Sequence, residues 1–224
     1  MSTKERSPAL KKHRILLVDD HAIVREGFAE VINSRADLET CGQAGNAAQA
    51  MTAVDRLKPD MVVVDLTLQG GSGLDLIKNL KTLHPTLRML VLSMHDETMY
   101  AERALRAGAL GYVMKREDSG VFLQAIHDVL QGRVFLSPAM RERLLHKVVG
   151  GNSAANHSPM SHLSDRELEV FQLIGEGCTT RHIARKLHLS ISTVETHRAH
   201  IKEKLNLNNG TELIRRAVEW VNSN

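Results

Sequence analysis

Short apolar runs alternate with amphipathic stretches from Arg14 to about Gln131. The apolar runs are ILLV (15–18), LETCGQA (38–44), MVVV (61–64), LRMLVL (87–92) and ALGYV (109–113). Between them, segments such as AIVREGFAEVINS and GLDLIKNLKTL carry apolar residues at helical spacing. This alternation predicts a parallel sheet covered by helices on both faces. Right-handed crossovers then favour a doubly wound, flavodoxin-like α/β fold with five parallel strands.

The alternation ends near Gly132, and the composition of the chain changes after it. SPAMRERLLHKVV (137–149) predicts a short helix with Ser137 as its N-cap, and GGNSAANHSPMS (150–161) has the composition of a flexible linker. Four further helices are predicted beyond that point, and Ser192 is a suitable N-cap for the third of them. We therefore predict an α/β domain over 13–131, a linker with a short helix over 132–160 and an all-α domain over 161–222.

Composition excludes several classes of protein without selecting a function. No apolar run approaches the roughly 20 residues that span a bilayer, and the N-terminus lacks the apolar core of a signal peptide. The only cysteines, Cys41 and Cys178, have no zinc-ligand or disulfide-framework spacing. From Ser161 onward, 9 basic residues face 8 acidic ones, so any affinity for DNA must depend on where charges lie. We expect a cytoplasmic protein.

Three carboxylates follow strands of the predicted sheet. Asp19 and Asp20 come after the first strand, and Asp65 comes after the third. In a flavodoxin-like strand order the first and third strands are neighbours, so these side chains should share one site at the carboxyl ends of the strands. Like charges at such short range need a balancing cation. Mg²⁺ suits a few carboxylate oxygens and keeps water for a further ligand.

A hydroxyl and an ammonium group are predicted at the same edge of the sheet. Ser93 ends the fourth strand, and Lys115 follows the fifth. Together with a metal ion, they would neutralise and hydrogen-bond a phosphoryl group held close to Asp65. Asp65 is then the candidate nucleophile of an aspartyl-phosphate chemistry.

The segments LLVDDH, VVVDLTL, VLSMHD and GYVMK resemble the receiver domain of bacterial response regulators over roughly residues 13–131. This resemblance implies a Mg²⁺ site, a phospho-acceptor, two phosphoryl contacts and an aromatic switch. The implied metal ligands are Asp19, Asp20, Asp65 and the backbone carbonyl of Thr67; the phospho-acceptor is Asp65, the phosphoryl contacts are Ser93 and Lys115, and the switch residues are Ser93 and Tyr112.

The loop after Asp65 distinguishes a receiver domain from two competing classes of protein. A dinucleotide fingerprint would require a third glycine where Leu76 stands, and a haloacid-dehalogenase-like phosphatase would require an aspartate at Thr67. The chain departs from the usual receiver pattern at Leu68-Gln69, where Met-Pro is common, and at Arg116, where Pro often follows the lysine. These departures affect the conformation of the loops and leave the lifetime of a phosphoryl group open.

The segment TTRHIARKLHLSISTVETHRAHIKEKL (179–205) has the pattern of a helix-turn-helix. Val194, His197, Ile201 and Leu205 form the inward stripe of its second helix. The opposite face carries Glu195, Thr196, Arg198, Ala199 and Lys202. Its early residues are placed to reach base edges.

The stretch 163–207 resembles the LuxR-type DNA-binding domain, through LSDRELEVFQLIGEG, IARKL and STVETHRAHIKEKL. By that resemblance Glu195, Thr196 and Ala199 read bases, and the implied phosphate contacts are Arg181, Arg198, His200 and Lys204. Glutamate can accept from cytosine, and threonine or alanine can contact a thymine methyl group.

A receiver joined to a LuxR-type module is the arrangement of two-component response regulators of the NarL/FixJ subfamily. The resemblance implies a transcription regulator rather than an enzyme, with a sensor histidine kinase and double-stranded promoter DNA as partners. It also implies a homodimer when the chain is phosphorylated, for which TELIRRAVEWV is the candidate surface. Two alternatives stay open: a phosphate-independent regulator or scaffold of the same architecture, and a phosphatase with an aspartate nucleophile.

Overall fold

The computed structural model of the chain describes residues 12–69, 71–149 and 159–222. Its principal element is a five-stranded parallel sheet with the strand order β2-β1-β3-β6-β7. The strands of this sheet are β1 (His13–Val18), β2 (Leu38–Ala44), β3 (Met61–Val64), β6 (Arg88–Ser93) and β7 (Gly111–Met114). The first and third strands are neighbours, so the predicted flavodoxin-like fold is confirmed.

The register of the sheet aligns the ends of its central strands. Val18 of β1 pairs with Val64 of β3, and Val64 pairs with Val91 of β6. Asp19 and Asp65 each follow one of these aligned valines, so they leave the sheet side by side at its carboxyl edge.

Five helices cover the two faces of the sheet. They are α1 (Ala22–Asn33), α2 (Ala47–Leu57), α3 (Gly73–Leu83), α4 (Glu97–Ala107) and α5 (Ser119–Leu130). Alternate residues of β1 serve the two faces: Ile15 packs with α1 and α5, whereas Leu16 packs with the core that lies under α2, α3 and α4. This second core continues into the C-terminal helices.

A short antiparallel hairpin between β3 and α3 was not predicted from the sequence. Its strands are β4 (Thr67–Leu68) and β5 (Gly71–Ser72). Ser72 then caps α3, because its side chain accepts a hydrogen bond from the backbone N–H of Leu74. Thr67 is therefore part of an ordered hairpin rather than an open loop.

Helix α6 (Pro138–Val149) follows the sheet, as predicted. The hydroxyl of Ser137 accepts a hydrogen bond from the backbone N–H of Met140 at 3.1 Å, which confirms Ser137 as its cap. Phe135 forms an isolated bridge with Gly111 beside β7. Most of the flexible linker predicted at 150–161 lies outside the described residues.

The C-terminal part contains a short 3-10 helix at Pro159–His162 and four α-helices. These are α7 (Asp165–Gly175), α8 (Thr180–Lys186), α9 (Ile191–Lys204) and α10 (Gly210–Asn222). The choice of Ser192 as an N-cap was wrong: Ser190 caps α9, because its hydroxyl accepts from the backbone N–H of Thr193. The helix therefore begins one residue before Ser192.

Helix α7 packs against the other three C-terminal α-helices. Its start is fixed by a capping box between Ser164 and Glu167. Its end lies against α10, where a Cβ at Gly175 would meet the carbonyl oxygen of Ala217 at 2.4 Å. The rings of Phe171 and Trp220 pack between these two helices, with centroids 5.4 Å apart. Within the described ranges, no helix has the length and apolar character needed to cross a membrane.

Candidate functional site

Three charged groups predicted at the sheet edge meet in the structure. Asp19 and Asp65 are buried, with exposed fractions of 6% and 4%. Lys115, which follows β7, places its Nζ atom 2.5 Å from Asp19 Oδ2 and 2.7 Å from Asp65 Oδ2. The parallel register thus brings an ammonium group into contact with two carboxylates that are 46 residues apart in the sequence.

Burial dominates the electrostatics of this cluster. It raises the pKa of Asp65 to about 6, although the Lys115 ammonium opposes the shift. Burial would lower the pKa of Lys115, but the carboxylates of Asp65 and Asp19 raise it overall. The lysine therefore stays charged, and one ammonium does not fully compensate the buried carboxylates. A further cation would stabilise the ionised form of Asp65.

The donor atoms around Asp65 fit a divalent cation. Asp19, Asp20, His21 and Asp65 each offer one ligand atom within 4.8 Å of the others. Among the described residues, Asp20 Oδ1 is buried without a hydrogen-bond partner. His21 Nδ1 lies 2.7 Å from this oxygen without forming a hydrogen bond to it. An orphaned carboxylate oxygen beside two further carboxylates suits Mg²⁺, which prefers oxygen ligands.

The hydroxyl groups of Ser93 and Thr67 lie at the same edge and share one neighbour, His95. Ser93 is fully buried at the end of β6, and its Oγ accepts a hydrogen bond from the backbone N–H of His95 at 3.2 Å. The Oγ1 atom of Thr67 lies 3.0 Å from His95 Nε2, at hydrogen-bond distance. The loop that follows Ser93 is therefore joined to the hairpin that follows Asp65.

Tyr112, the predicted aromatic switch, is buried in β7. Its hydroxyl donates a hydrogen bond to the carbonyl oxygen of His95 at 2.8 Å. Burial raises the pKa of Tyr112, so the hydroxyl keeps its proton and remains a donor at neutral pH. The ring is part of the core, and its polar end reaches the loop after Ser93.

Sequence reasoning missed two residues that shape the site. His95 contacts Ser93, Thr67 and Tyr112, and its position two residues after Ser93 matches that of Thr67 after Asp65. Gly73 lies against the Asp65 backbone, where a Cβ would be 2.0 Å from the carbonyl oxygen of Asp65. The matching spacing could have identified His95, whereas the close approach at Gly73 has no signal in the sequence.

The predicted recognition helix, α9, presents two different faces. Val194 and Ile201 are buried, and His197 is half-buried on the same side. The opposite side carries exposed Glu195, Thr196, Ala199 and His200, with Arg198 and Lys202 partly exposed. Arg181 is exposed on the preceding helix, α8. Apart from Lys204, the residues predicted to contact DNA therefore lie away from the buried stripe of α9, and their contacts with DNA stay a prediction.

Some of these side chains already have protein partners. Glu195 accepts a hydrogen bond from the Thr180 hydroxyl at 2.9 Å, and its carboxylate lies 3.6 Å from Arg198. Lys204 lies 2.6 Å from the buried carboxylate of Glu167, which also caps the start of α7. Lys204 therefore holds α9 against α7, whereas Lys202 is partly exposed on the accessible side of the helix.

Comparison with family models divides the chain in the same way as its structure. Residues 15–127 match the model described as the response regulator receiver domain. Residues 161–217 match the model described as bacterial regulatory proteins of the luxR family.

Individual relatives match the chain over different extents. The oxygen regulatory protein NreC of Staphylococcus carnosus is 34% identical over 210 residues, covering 92% of this chain and 97% of NreC. A LuxR-family two-component response regulator from Aurantimonas is 36% identical, with a TM-score of 0.58, and covers 62% of this chain and 99% of its own. The Salmonella typhimurium response regulator RcsB, studied for its DNA interaction, is 25% identical, with a TM-score of 0.56 and coverages of 92% and 98%.

Proposed function

The chain belongs to the two-component response regulators with a LuxR-type DNA-binding domain, and from this premise we propose that phosphoryl transfer to Asp65 controls its binding to promoter DNA. Response regulators of this kind are in general transcription factors rather than enzymes. In this proposal residues 13–131 receive the phosphoryl group, 132–160 connect the domains and 161–222 bind DNA.

The observation that carries the proposal is the environment of Asp65. A buried carboxylate whose pKa is raised to about 6 lies 2.7 Å from a buried ammonium group and beside an orphaned oxygen of Asp20. An aspartate that only capped a turn would not require a buried lysine and two acidic neighbours. The arrangement supplies a nucleophile together with the charges needed to hold a phosphoryl group.

The chemistry assigns one role to each side chain. Receiver domains generally bind Mg²⁺ at an acidic pocket, and Asp19, Asp20, Asp65 and the carbonyl of Thr67 would hold it here. When bound, the metal ion neutralises phosphoryl oxygens and helps to orient them. An Asp65 oxygen attacks phosphorus, the bond to the donor histidine breaks, and an acyl phosphate forms. Lys115 compensates the added negative charge, and the Ser93 hydroxyl donates a hydrogen bond to a phosphoryl oxygen.

The partners follow from the two domains. Response regulators act with histidine kinases and promoter DNA, and we propose both for this chain, together with a cytoplasmic location. The accessible side of α9 is the proposed DNA-reading surface. On α10, Ile214 and Val218 are 47% and 36% exposed, and they stand one helical turn apart. Two such apolar faces in contact would form the proposed homodimer.

The decisive experiment compares the full chain with Asp65→Asn. Both proteins are incubated with acetyl phosphate and Mg²⁺, and the acid-labile label and the retardation of genomic promoter fragments are measured. Asp55→Asn is a matched control, because this side chain is exposed on α2. We expect label in the wild type and in Asp55→Asn, none in Asp65→Asn, and stronger DNA retardation only where label is present.

Each outcome separates the proposal from its alternatives. Equal labelling of wild type and Asp65→Asn would exclude Asp65 as the acceptor. Retardation of DNA that is the same with and without label would favour a phosphate-independent regulator. Rapid turnover of a small phosphorylated substrate would favour a phosphatase.

A further inference from the structure

A polar junction fastens helix α7 to the face formed by α3 and α4. The guanidinium of Arg103 donates to Asp165 Oδ1 and to the carbonyl oxygen of Leu163, both at 2.8 Å. Lys78 of α3 lies 2.8 Å from the other oxygen of Asp165. The C-terminal domain is therefore held by the start of α7, and α9 keeps its accessible side in this arrangement.

His95 lies near this junction on the receiver side, and three of its atoms contact residues around the phosphorylation site. Its backbone N–H donates to Ser93 Oγ, its carbonyl oxygen accepts from the Tyr112 hydroxyl, and its Nε2 atom contacts Thr67 Oγ1. A residue held at its amide, its carbonyl and its ring by three different elements cannot move without changing at least one of these contacts.

The imidazole of His95 also faces the C-terminal domain. Its ring packs against the ring of Tyr100 with centroids 4.8 Å apart, and the Tyr100 hydroxyl donates to Gln172 Oε1 of α7 at 3.1 Å. Burial lowers the pKa of His95, while the charge of Glu176, at the C-cap of α7, and a hydrogen bond with Gln172 act in the opposite direction.

We infer that His95 is a positioning residue that couples the contact between Gln172 and the receiver domain to the placement of Thr67 and Ser93 beside Asp65. This inference rests on the proposed phosphorylation of Asp65 and adds the side chains by which the two domains affect each other. His95 acts through Thr67 and Ser93 and does not itself contact the reacting atoms.

The positions of two hydroxyl groups give the coupling its direction. Contacts with His95 set the positions of the Ser93 and Thr67 hydroxyls, and a phosphoryl group at Asp65 would attract both hydroxyls as hydrogen-bond donors. A bound phosphoryl group therefore favours rearrangement of these contacts and weakens the hold on α7. Coupling between two sites is reciprocal for binding free energies, so loosening α7 must strengthen phosphoryl binding at Asp65.

The test uses beryllofluoride as the phosphoryl mimic, with Mg²⁺, and measures its affinity for the full chain by fluorine NMR. Gln172 is partly exposed on α7, so Gln172→Ala should fold normally. We expect Gln172→Ala to tighten beryllofluoride binding by roughly fivefold or more, the lower end of usual allosteric coupling. We expect no such gain when the substitution is made in a His95→Ala background.

The effect of Gln172→Ala in the wild type, compared with its effect in the His95→Ala background, decides the inference. An unchanged affinity in Gln172→Ala would overturn it, and so would the same gain with and without His95. His95→Gln provides a second variant, because its amide can still hydrogen-bond Thr67, and we expect it to restore part of the sensitivity to Gln172→Ala. If wild type and Asp65→Asn bound beryllofluoride equally, the proposed function would fail. If the wild type bound beryllofluoride but Gln172→Ala left the affinity unchanged, the inference alone would be refuted.

Discussion

Gly73 lies so close to Asp65 that a Cβ at the glycine would stand 2.0 Å from the Asp65 carbonyl oxygen and 2.7 Å from the Cα of Leu66. The backbone N–H of Gly73 also donates to the carbonyl oxygen of Leu66 at 2.8 Å. The first residue of α3 thus presses on the turn that carries the phospho-acceptor. Neither neighbour is a flexible side chain, so a larger residue would have to displace backbone.

Gly73→Ala should therefore displace the turn that carries Asp65. We expect a loss of about 1–3 kcal/mol in the free energy of unfolding from the steric conflict. We also expect a fall of roughly tenfold or more in the rate of labelling by acetyl phosphate, because the reacting group is misplaced. Gly71→Ala is the control, since a Cβ there meets nothing within 4 Å. Normal labelling of Gly73→Ala would show that the turn tolerates the displacement.

Lys115→Met should make the stability of the chain depend on Mg²⁺. Without the ammonium group, Asp19 and Asp65 are buried together with no compensating charge, which costs about 3 kcal/mol of unfolding free energy. Mg²⁺ bound to the same carboxylates should restore much of this loss. We expect thermal unfolding to show a larger Mg²⁺-induced rise in midpoint for Lys115→Met than for the wild type. Lys12→Met, which changes an exposed lysine, should respond like the wild type.

The buried carboxyl group of Glu169 should make the stability of the C-terminal domain depend on pH. Burial raises its pKa from 4.5 to about 7, although Arg166 opposes the shift. The folded state therefore holds a proton that the unfolded chain releases between these two pH values. The resulting contribution is fully present below about pH 4.5 and is lost as the pH rises through about 7, a difference of roughly 3 kcal/mol.

Glu169→Gln should remove this part of the pH dependence. We expect urea unfolding, followed by circular dichroism, to show that the wild type loses more stability between pH 5 and pH 8 than Glu169→Gln does. Glu203→Gln, at an exposed position of α9, should retain the full wild-type loss. Parallel curves for wild type and Glu169→Gln would mean that Arg166 keeps the carboxylate ionised in the folded chain.

Two lysines of α9 should affect DNA binding in different ways. Lys202→Ala removes a charge from the DNA-reading side. The slope of log binding constant against log salt concentration should therefore become shallower by about one. Lys204→Ala removes the partner of buried Glu167 and should mainly cost about 1 kcal/mol of stability. The measurement is retardation of a bound DNA fragment over a range of salt concentrations, combined with thermal unfolding. A reduced salt slope in Lys204→Ala would instead place this lysine at a phosphate.

The sheet and its acidic edge could be predicted because they depend on local patterns. Apolar runs fix the strands, and a parallel sheet brings residues that follow neighbouring strands to one edge. Asp19 and Asp65 therefore meet as soon as β1 pairs with β3. Their roles in phosphorylation stay a prediction, which the labelling of Asp65→Asn tests.

Other features depend on contacts that a linear pattern does not contain. The hairpin of β4 and β5 has two residues in each strand, too few for a periodic signal. Ser190 and Ser192 are both acceptable caps by residue type, and the structure uses the first. His95 lies between two domains, which no local pattern indicates: its ring packs on Tyr100 of α4, and the Tyr100 hydroxyl reaches Gln172 of α7.

The ring packing between Phe171 and Trp220 has a practical consequence. Trp220 is the single tryptophan of the chain and lies in α10, so selective excitation of indole fluorescence observes the C-terminal domain alone. The protein carries its own optical reporter for one of its two parts. Its emission can follow the melting of that domain, or a change at the α7–α10 contact during DNA binding, without any attached dye.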